Sequence, residues 1–247
     1  LERRAKLTPQ RTALEIAESG REITYAEWNA SANRAANFLH ALGVKRGDRV
    51  AVYAGNCLEY LDVWMACGKT GAILQNLNWR LTVGELRQLI EDAAPLVLFY
   101  SSEYYEQVNA LRPHLSSVRH FVAFGERAAE RDLPFAEREA YPASLTHRET
   151  LHPDDPWVIC YTGGTTGLPK GAILTHGNMT WNSINTVTSW GLDTNDTAIL
   201  NAPLFHTGAL NVLTLPLIHV GGKSIVCKAF DAEQVFDLIE RRGVTLY

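Results

Sequence analysis

The sequence predicts an α/β fold in which mostly parallel β-sheets carry helices on both faces. Three observations support this prediction. Short apolar runs of the kind buried in parallel sheets recur along the chain, amphipathic helical stretches alternate with them, and two of those helices begin with capping boxes. This alternation is typical of parallel sheets, because a crossover helix returns the chain to the same edge. The 247 residues suffice for one large or two modest domains.

The first predicted elements are two strands and a long helix. We expect strands at residues 12–17 and 21–24, joined by a short turn. The helix begins after Thr24, which forms a capping-box pattern with Glu27, and ends before Gly43, which suits a C-terminal cap. Between these signals the apolar residues recur at helical spacing, at Trp28, Ala32, Ala35, Leu39 and Leu42.

The same alternation continues along the first half of the chain. We expect, in order, strand 50–54, helix 58–69, strand 72–74, a helix after Thr82, strand 96–100, helix 103–111 and strand 120–124. Glu85 completes the second capping box. Residues 126–156 are charged and weakly periodic, so they predict an irregular surface connection. A buried strand resumes at residues 157–161.

Composition excludes several classes of protein. Hydrophobic residues make up 46% and charged residues 20% of the chain, as in a soluble folded protein. The net charge of -4 arises from scattered charges without a basic stripe, which argues against nucleic acid as a partner. The sequence has no apolar run long enough for a transmembrane segment and no signal-peptide pattern at Leu1, so we expect a cytoplasmic protein. The oligomeric state is left open.

The cysteines and the chain ends carry further expectations. The four cysteines lie far apart without a CxxC pair, which predicts free thiols and neither a zinc site nor a disulfide framework: Cys57, Cys67, Cys160 and Cys227. The chain starts at Leu1 and stops at Tyr247, just after a predicted helix and at the start of an apolar, β-branched stretch. We therefore expect that a strand is cut as it begins, by cloning or by proteolysis.

The strongest chemical signal is the run of residues 162–171, which directly follows a predicted strand. Its ten positions hold four glycines, three threonines and one lysine. Glycines let backbone N–H groups converge on phosphate oxygens, threonine hydroxyls donate hydrogen bonds, and lysine supplies positive charge. The run is no Walker loop, because Leu168 and Pro169 separate Gly167 from Lys170. It predicts an anion-binding loop of another kind.

The run from Tyr161 to Gly171 resembles the signature phosphate loop of the AMP-binding, adenylate-forming enzymes. That family includes acyl-CoA synthetases, luciferases and the adenylation domains of peptide synthetases. One position departs from the pattern, since Gly163 stands where the family commonly has serine, and this removes one hydroxyl donor. The resemblance covers residues 12–247. It implies that residues 1–247 are the N-terminal part of the adenylation domain, with the C-terminal lid domain absent.

Three supporting stretches resemble the same family. Residues 23–51 are similar to its opening helix and strand. Residues 76–81, with Asn78, Trp79 and Arg80, look like the acyl-CoA synthetase branch, although Arg80 also suits a structural ion pair. Residues 202–208 resemble the family's second core motif, whose histidine, here His206, lies beside the carboxylate substrate and the path of CoA. We assign no role to the other histidines.

The resemblance implies ATP, Mg²⁺ and CoA as cofactors and a small carboxylic acid as substrate. It implies that the nucleotide is bound by Thr162, Gly163, Gly164, Thr165, Thr166, Gly167 and Lys170. It also implies catalytic roles for Thr166, Lys170 and His206, and a metal contact for Thr166. By the same resemblance, we expect the carboxylate to attack the α-phosphorus of ATP to give an acyl adenylate and pyrophosphate, and CoA then to displace AMP. Positioned donors and cations suffice for both steps, so no enzyme nucleophile is required.

Two alternatives remain open at this point. A non-catalytic module that binds nucleotide weakly, or serves as a structural unit, is the rival of a different class. A peptide-synthetase-type adenylation domain is the rival within the enzymes. Because the lid and several ATP contacts of the family are missing, we expect negligible turnover from these 247 residues alone. The identity of the carboxylic acid is beyond reach of the sequence.

Overall fold

The computed structural model describes residues 1–162 and 169–247. These residues form two compact units. The first unit comprises Leu1–Ser31, Gly55–Leu58 and Gly177–Tyr247, and the second comprises Ala32–Ala54 and Glu59–His176. Each unit contains its own β-sheet. The length of the chain allowed one large domain or two modest ones, and the chain forms two compact units.

The first unit is built on a four-stranded sheet. Its strands are β1 (Thr12–Ile16), β2 (Glu22–Thr24), β10 (Thr197–Leu200) and β11 (Lys223–Val226). They lie in the order β10, β11, β1, β2, and the pairs are parallel except for the antiparallel hairpin of β1 and β2. An isolated parallel β-bridge joins Leu246 to Ala198 of β10, so the apolar stretch near Tyr247 pairs with this sheet at one residue.

The second unit is built on a seven-stranded sheet. Its strands are β3 (Arg49–Tyr53), β4 (Ile73–Asn76), β5 (Val97–Ser101), β6 (His120–Phe124), β7 (Leu133–Pro134), β8 (Pro156–Thr162) and β9 (Lys170–Thr175). They lie in the order β7, β6, β5, β3, β4, β8, β9. All pairs are parallel except the antiparallel pair of β8 and β9. The predicted mostly parallel α/β fold is confirmed.

Eight α-helices lie among the described residues. They are α1 (Glu2–Leu7), α2 (Tyr25–Ala41), α3 (Leu58–Thr70), α4 (Val83–Ala93), α5 (Tyr105–Leu111), α6 (His176–Trp190), α7 (Leu215–Val220) and α8 (Ala232–Arg241). Both capping boxes are confirmed: the Thr24 and Thr82 amides donate to Glu27 and Glu85 at 2.8 Å. In the described part of the chain, no helix combines the length and the apolar character needed to cross a membrane.

Both faces of the seven-stranded sheet are covered, as the continuous apolar strands predict. On one face, helices α4 and α5 pack against β3 and β5 through a cluster that includes Leu86, Ile90, Val108, Leu98 and Tyr100. On the other face a group of aromatic rings packs edge to face or tilted, with centroids 5.0 to 6.3 Å apart: Phe38, Phe99, Phe124 and Phe135. The alternation of Leu98 and Phe99 between the two clusters follows from the two-residue repeat of a strand.

The prediction of an irregular connection at residues 126–156 is wrong in part. Strand β7 extends the sheet there, and a 3₁₀ helix follows at Phe135–Ala140. Phe135 lies in the core, and the buried carboxylate of Asp132 accepts hydrogen bonds from both terminal nitrogens of Arg112 at 2.7 and 2.8 Å. The sequence pattern missed this region because its anchors are single contacts without periodicity, such as the Phe135 ring and the Arg112–Asp132 ion pair.

The cysteines are free thiols, as expected. Cys67, Cys160 and Cys227 are buried and Cys57 is partly buried. Burial raises the pKa of all three buried thiols, that of Cys160 to about 11 and that of Cys227 to about 12. The described residues hold no cluster of His, Cys, Asp and Glu that could bind a metal ion.

A stack of three rings lies at one end of the seven-stranded sheet. Trp157, on β8, packs between Trp64 and His176, with centroid distances of 5.5 and 4.9 Å and interplanar angles of 12°. Trp157 also donates from Nε1 to the carbonyl of Trp64 at 3.1 Å. Gly68 leaves room for this ring, because a β-carbon there would lie 2.5 Å from it. Burial lowers the pKa of His176, so the stack favours a neutral imidazole.

The stack predicts an acid-sensitive contribution to stability. The ordinary pKa of histidine is 6.5 and that of His176 is lower, so below this value the unfolded chain binds the extra proton. The contribution is complete above about pH 7 and is lost as the pH falls. We expect His176→Phe, which keeps an aromatic ring, to show a smaller loss of unfolding free energy between about pH 7.5 and pH 5, measured by urea denaturation.

The exposed residue His114 offers a matched control. We expect His114→Phe to retain the pH dependence of the wild-type chain. Equal pH dependence in His176→Phe and the wild type would contradict the assignment.

Candidate functional site

The base of the predicted phosphate loop is a β-hairpin. Strand β8 ends at Thr162 and strand β9 begins at Lys170, and these two residues pair with each other in the antiparallel register. The hydroxyl of Thr162 donates to the carbonyl of Lys170 at 3.4 Å, and both residues are exposed. Because β8 runs parallel to β4, this end of the hairpin lies at the carboxyl edge of the parallel strands, where ligands bind in α/β sheets. The structure thus brings Thr162 and Lys170 together.

Five of the predicted nucleotide-binding residues lie outside the described residues. They are Gly163, Gly164, Thr165, Thr166 and Gly167. The metal contact and the catalytic role assigned to Thr166 therefore stay predictions, as do the roles of Thr162 and Lys170.

The sequence placed Lys170 and Gly171 in the loop, and this is wrong, since both belong to strand β9. A run rich in glycine conceals the start of a strand, and the pairing with β8 cannot be read from local composition. Gly171 has a packing role in this strand. A β-carbon there would lie 3.0 Å from Cγ2 of Ile159, so glycine avoids a tight contact with that side chain. The same β-carbon would lie 3.4 Å from the ring of Tyr161, which is an ordinary packing distance.

Tyr161 ties the hairpin to helix α4. Its hydroxyl lies 2.6 Å from Oδ2 of Asp92 and 3.2 Å from the carbonyl of Leu89. Burial raises the pKa of Tyr161, and the hydrogen bond to Asp92 raises it further. The phenol therefore keeps its proton and donates it to the carboxylate. Sequence reasoning missed Asp92, because this contact joins residues on two elements far apart in the chain.

His206 belongs to the first unit and follows strand β10 in a short turn. Its Nδ1 accepts a hydrogen bond from the Gly208 amide at 3.1 Å, and its own amide donates to the Pro203 carbonyl at 3.0 Å. With Nδ1 as the acceptor, the neutral ring carries its proton on Nε2. The turn leads into a π-helix at Gly208–Thr214, a rare form that is frequent at functional sites.

Asn56 holds the turn that carries His206, and sequence reasoning missed it. Its Nδ2 donates to the carbonyls of Ala202 and Cys227 at 3.0 and 3.1 Å, and its Oδ1 accepts from the amide of Leu204 at 2.8 Å. Asn56 is only 8% exposed. One side chain thus satisfies three backbone groups around the motif. The available signal was a polar residue shortly after a buried strand, where ligand-binding loops of α/β proteins begin.

The segment that resembles the acyl-CoA synthetase branch lies just before helix α4. The guanidinium carbon of Arg80 lies 4.8 Å from the ring centroid of Trp79, and the Arg80 amide donates to Oδ1 of Asn78 at 2.9 Å. Residues 78–80 thus contact one another just before helix α4, which also contacts Tyr161.

A family model described as AMP-binding enzyme matches residues 1–247 of this chain. The chain belongs to the AMP-binding enzyme family. The resemblance found in the phosphate loop is confirmed by this match over the whole chain.

Several CoA ligases resemble this AMP-binding enzyme. The chain is 40% identical over 244 residues to a feruloyl-CoA synthase from Amycolatopsis sp, and this match covers 99% of the chain and 46% of that relative. It is 37% identical over 253 residues to the indoleacetate–CoA ligase of Aromatoleum aromaticum, covering 100% of this chain and 48% of that relative. The chain spans about half the length of the curated relatives it matches.

A solved structure shares the fold. The anthranilate CoA ligase AuaEII in complex with anthranoyl-AMP superposes with a TM-score of 0.90 at 28% identity, covering 97% of this chain and 46% of that chain. The α/β architecture of this AMP-binding enzyme is therefore that of the N-terminal domain of adenylate-forming enzymes.

The Asn56 contacts generate a prediction about stability. Asn56→Ala removes all three hydrogen bonds and leaves the buried amide of Leu204 without its acceptor, so we expect a loss of about 2 kcal/mol in the free energy of unfolding. Urea denaturation measures this loss.

The matched control is Asn195→Ala, at an exposed position in the same unit. We expect it to change the free energy of unfolding by less than about 0.5 kcal/mol. Equal losses in both variants would show that Asn56 has no special role.

Proposed function

We propose that this AMP-binding enzyme is an acyl-CoA synthetase. It activates a carboxylic acid with ATP to an acyl adenylate and transfers the acyl group to CoA. The observation that carries the proposal is the pairing of Thr162 with Lys170 at the carboxyl edge of the second sheet, in a chain that belongs to this family. As part of the same proposal, residues 1–247 are assigned to the adenylation domain.

The donor set of the hairpin fits the phosphates of ATP. Thr162 offers a hydroxyl and Lys170 an ammonium at an exposed position, and Thr165 and Thr166 add two hydroxyls in the connecting sequence. We propose that Lys170 holds the charge of the leaving pyrophosphate and that Thr166 contacts the metal ion. Mg²⁺, when bound, neutralises phosphate charge. The glycines let the backbone approach the phosphate oxygens closely.

We propose that His206 lies beside the carboxylate. Because its Nδ1 is occupied by the Gly208 amide, the neutral ring presents Nε2–H, a donor suited to a carboxylate oxygen. In this role His206 orients the acid for attack on the α-phosphorus. Asn56 supports it indirectly by holding the turn.

The names of three relatives support an aromatic acid as substrate. Feruloyl-CoA synthase, indoleacetate–CoA ligase and anthranilate CoA ligase are all named for aromatic acids. We infer that an aromatic carboxylic acid is the substrate of this enzyme and that CoA is the acceptor. A relative named fatty acid–[acyl-carrier-protein] ligase is 33% identical to the chain over 234 residues, so a carrier-protein thiol is the acceptor to test against CoA.

A kinetic test of the loop uses the complete protein. We expect Lys170→Ala and Thr166→Val each to lower the rate of acid-dependent ATP–pyrophosphate exchange by roughly 10- to 100-fold, since each removes a contact to charged phosphate oxygens. The matched control is Lys45→Ala, because Lys45 is exposed and precedes β3, at the opposite edge of the same sheet. Wild-type rates in both loop variants would refute the assigned roles.

A second test addresses the substrate and the acceptor. We expect ferulate or indoleacetate to support faster exchange than octanoate, and thioester formation to require CoA. Preference for octanoate would reject the aromatic acid, and transfer to a carrier-protein thiol alone would reject the CoA ligase.

A further inference from the structure

We propose that Asp92 is a positioning residue for the nucleotide-binding hairpin and that it acts through the hydroxyl of Tyr161. The inference deepens the proposed function and rests on it. Asp92 lies on the exposed surface of helix α4. Its carboxylate holds the residue that immediately precedes Thr162, through the contact of 2.6 Å.

The position of Asp92 in its helix indicates a role other than helix stability. It lies in the last turn of α4, together with Glu91. The partial negative charge at the C-terminal end of a helix disfavours acidic side chains there. Glu91 is offset by Arg87, four residues earlier, at 2.7 Å. Asp92 instead pairs with Tyr161, on a different element. The unfavourable interaction of Asp92 with the helix end is therefore offset by a contact that fixes the hairpin.

Helix α4 is firmly held, so it can serve as a support. Its start is fixed by the capping box of Thr82 and Glu85. At its centre, the buried side chain of Gln75, on β4, donates to the carbonyl of Leu89 at 2.7 Å. At its end, Arg49 of β3 donates to the carbonyls of Ala93 and Ala94 at 2.6 and 3.1 Å. Two neighbouring strands therefore fix the half of the helix that carries Asp92.

On the hairpin, Tyr161 lies next to the proposed phosphate site. Tyr161 lies opposite Gly171 in the register, one pair before Thr162 and Lys170. Its ring lies against the position where a Gly171 side chain would be. A change in the position of this ring therefore shifts the pair that begins and ends the loop. Through Tyr161, the carboxylate sets where the Thr162 hydroxyl and the Lys170 ammonium lie relative to the sheet.

The variants Asp92→Ala and Tyr161→Phe test the inference in the complete protein. We expect each to raise the KM for ATP in ATP–pyrophosphate exchange by about tenfold, because the residues that flank the loop are no longer held in place, with a much smaller effect on kcat. The double variant should be no worse than either single variant, because both changes break the same contact. Asp92→Glu, which restores the carboxylate, should recover part of the loss.

Glu91→Ala is the matched control. It removes the neighbouring carboxylate on the same turn and breaks only an exposed ion pair, so its KM for ATP should equal that of the wild type. Additive losses in the double variant, or an equal rise of KM in Glu91→Ala, would overturn the inference.

Amide hydrogen exchange supplies a readout that needs no activity. We expect the amides of residues 160–162 and 170–172 to exchange several-fold faster in Asp92→Ala and Tyr161→Phe than in the wild type or Glu91→Ala. Unchanged exchange overturns the inference, and so does faster exchange without a rise in KM, because the contact is then structural only. If the wild type lacks ATP–pyrophosphate exchange with every acid, the proposed function fails, and the link between Asp92 and nucleotide binding fails with it. Faster amide exchange in the two variants would still show that the Tyr161–Asp92 contact holds the hairpin.

Discussion

The antiparallel pairing of β8 with β9 is the constraint on which the functional argument depends. The second sheet is otherwise parallel, and its last parallel strand, β8, delivers the chain to the carboxyl edge. There the chain reverses and returns as β9, so that a short connecting sequence is held between two paired residues, Thr162 and Lys170. The pairing fixes the positions of Thr162 and Lys170 before a ligand binds, which reduces the entropy cost of binding through these two residues.

The supports of the two proposed sites are backbone hydrogen bonds made by side chains from distant parts of each unit. In the second unit, Gln75 donates to the carbonyl of Leu89, and the Tyr161 hydroxyl, which donates to Asp92, lies 3.2 Å from the same carbonyl. These contacts join β4 and β8 to helix α4. In the first unit, Asn56 satisfies three backbone groups around the turn of His206. Ligand-binding groups need to be held within a fraction of an ångström of the productive geometry, and such supports provide that accuracy.

The parts of the fold that sequence predicts are those with local signals. The helix starts at Thr24 and Thr82 are set by side chains three residues apart, so a capping box reveals them. The continuous apolar strands reveal a sheet covered on both faces. Strand β7 and the start of β9 escape this reasoning because neither has a local signal: β7 is only two residues long, and β9 begins within a glycine-rich run. Asn56 and Asp92 escape it for the same reason: their contacts are made only when the chain has folded.

A crystal structure of the complete protein with a non-hydrolysable ATP analogue would show whether the hairpin binds the nucleotide. We expect the β and γ phosphates to lie within hydrogen-bonding distance of the Lys170 ammonium and of the threonine hydroxyls in residues 162–166. A nucleotide bound elsewhere, with the hairpin amides turned into protein, would contradict this expectation.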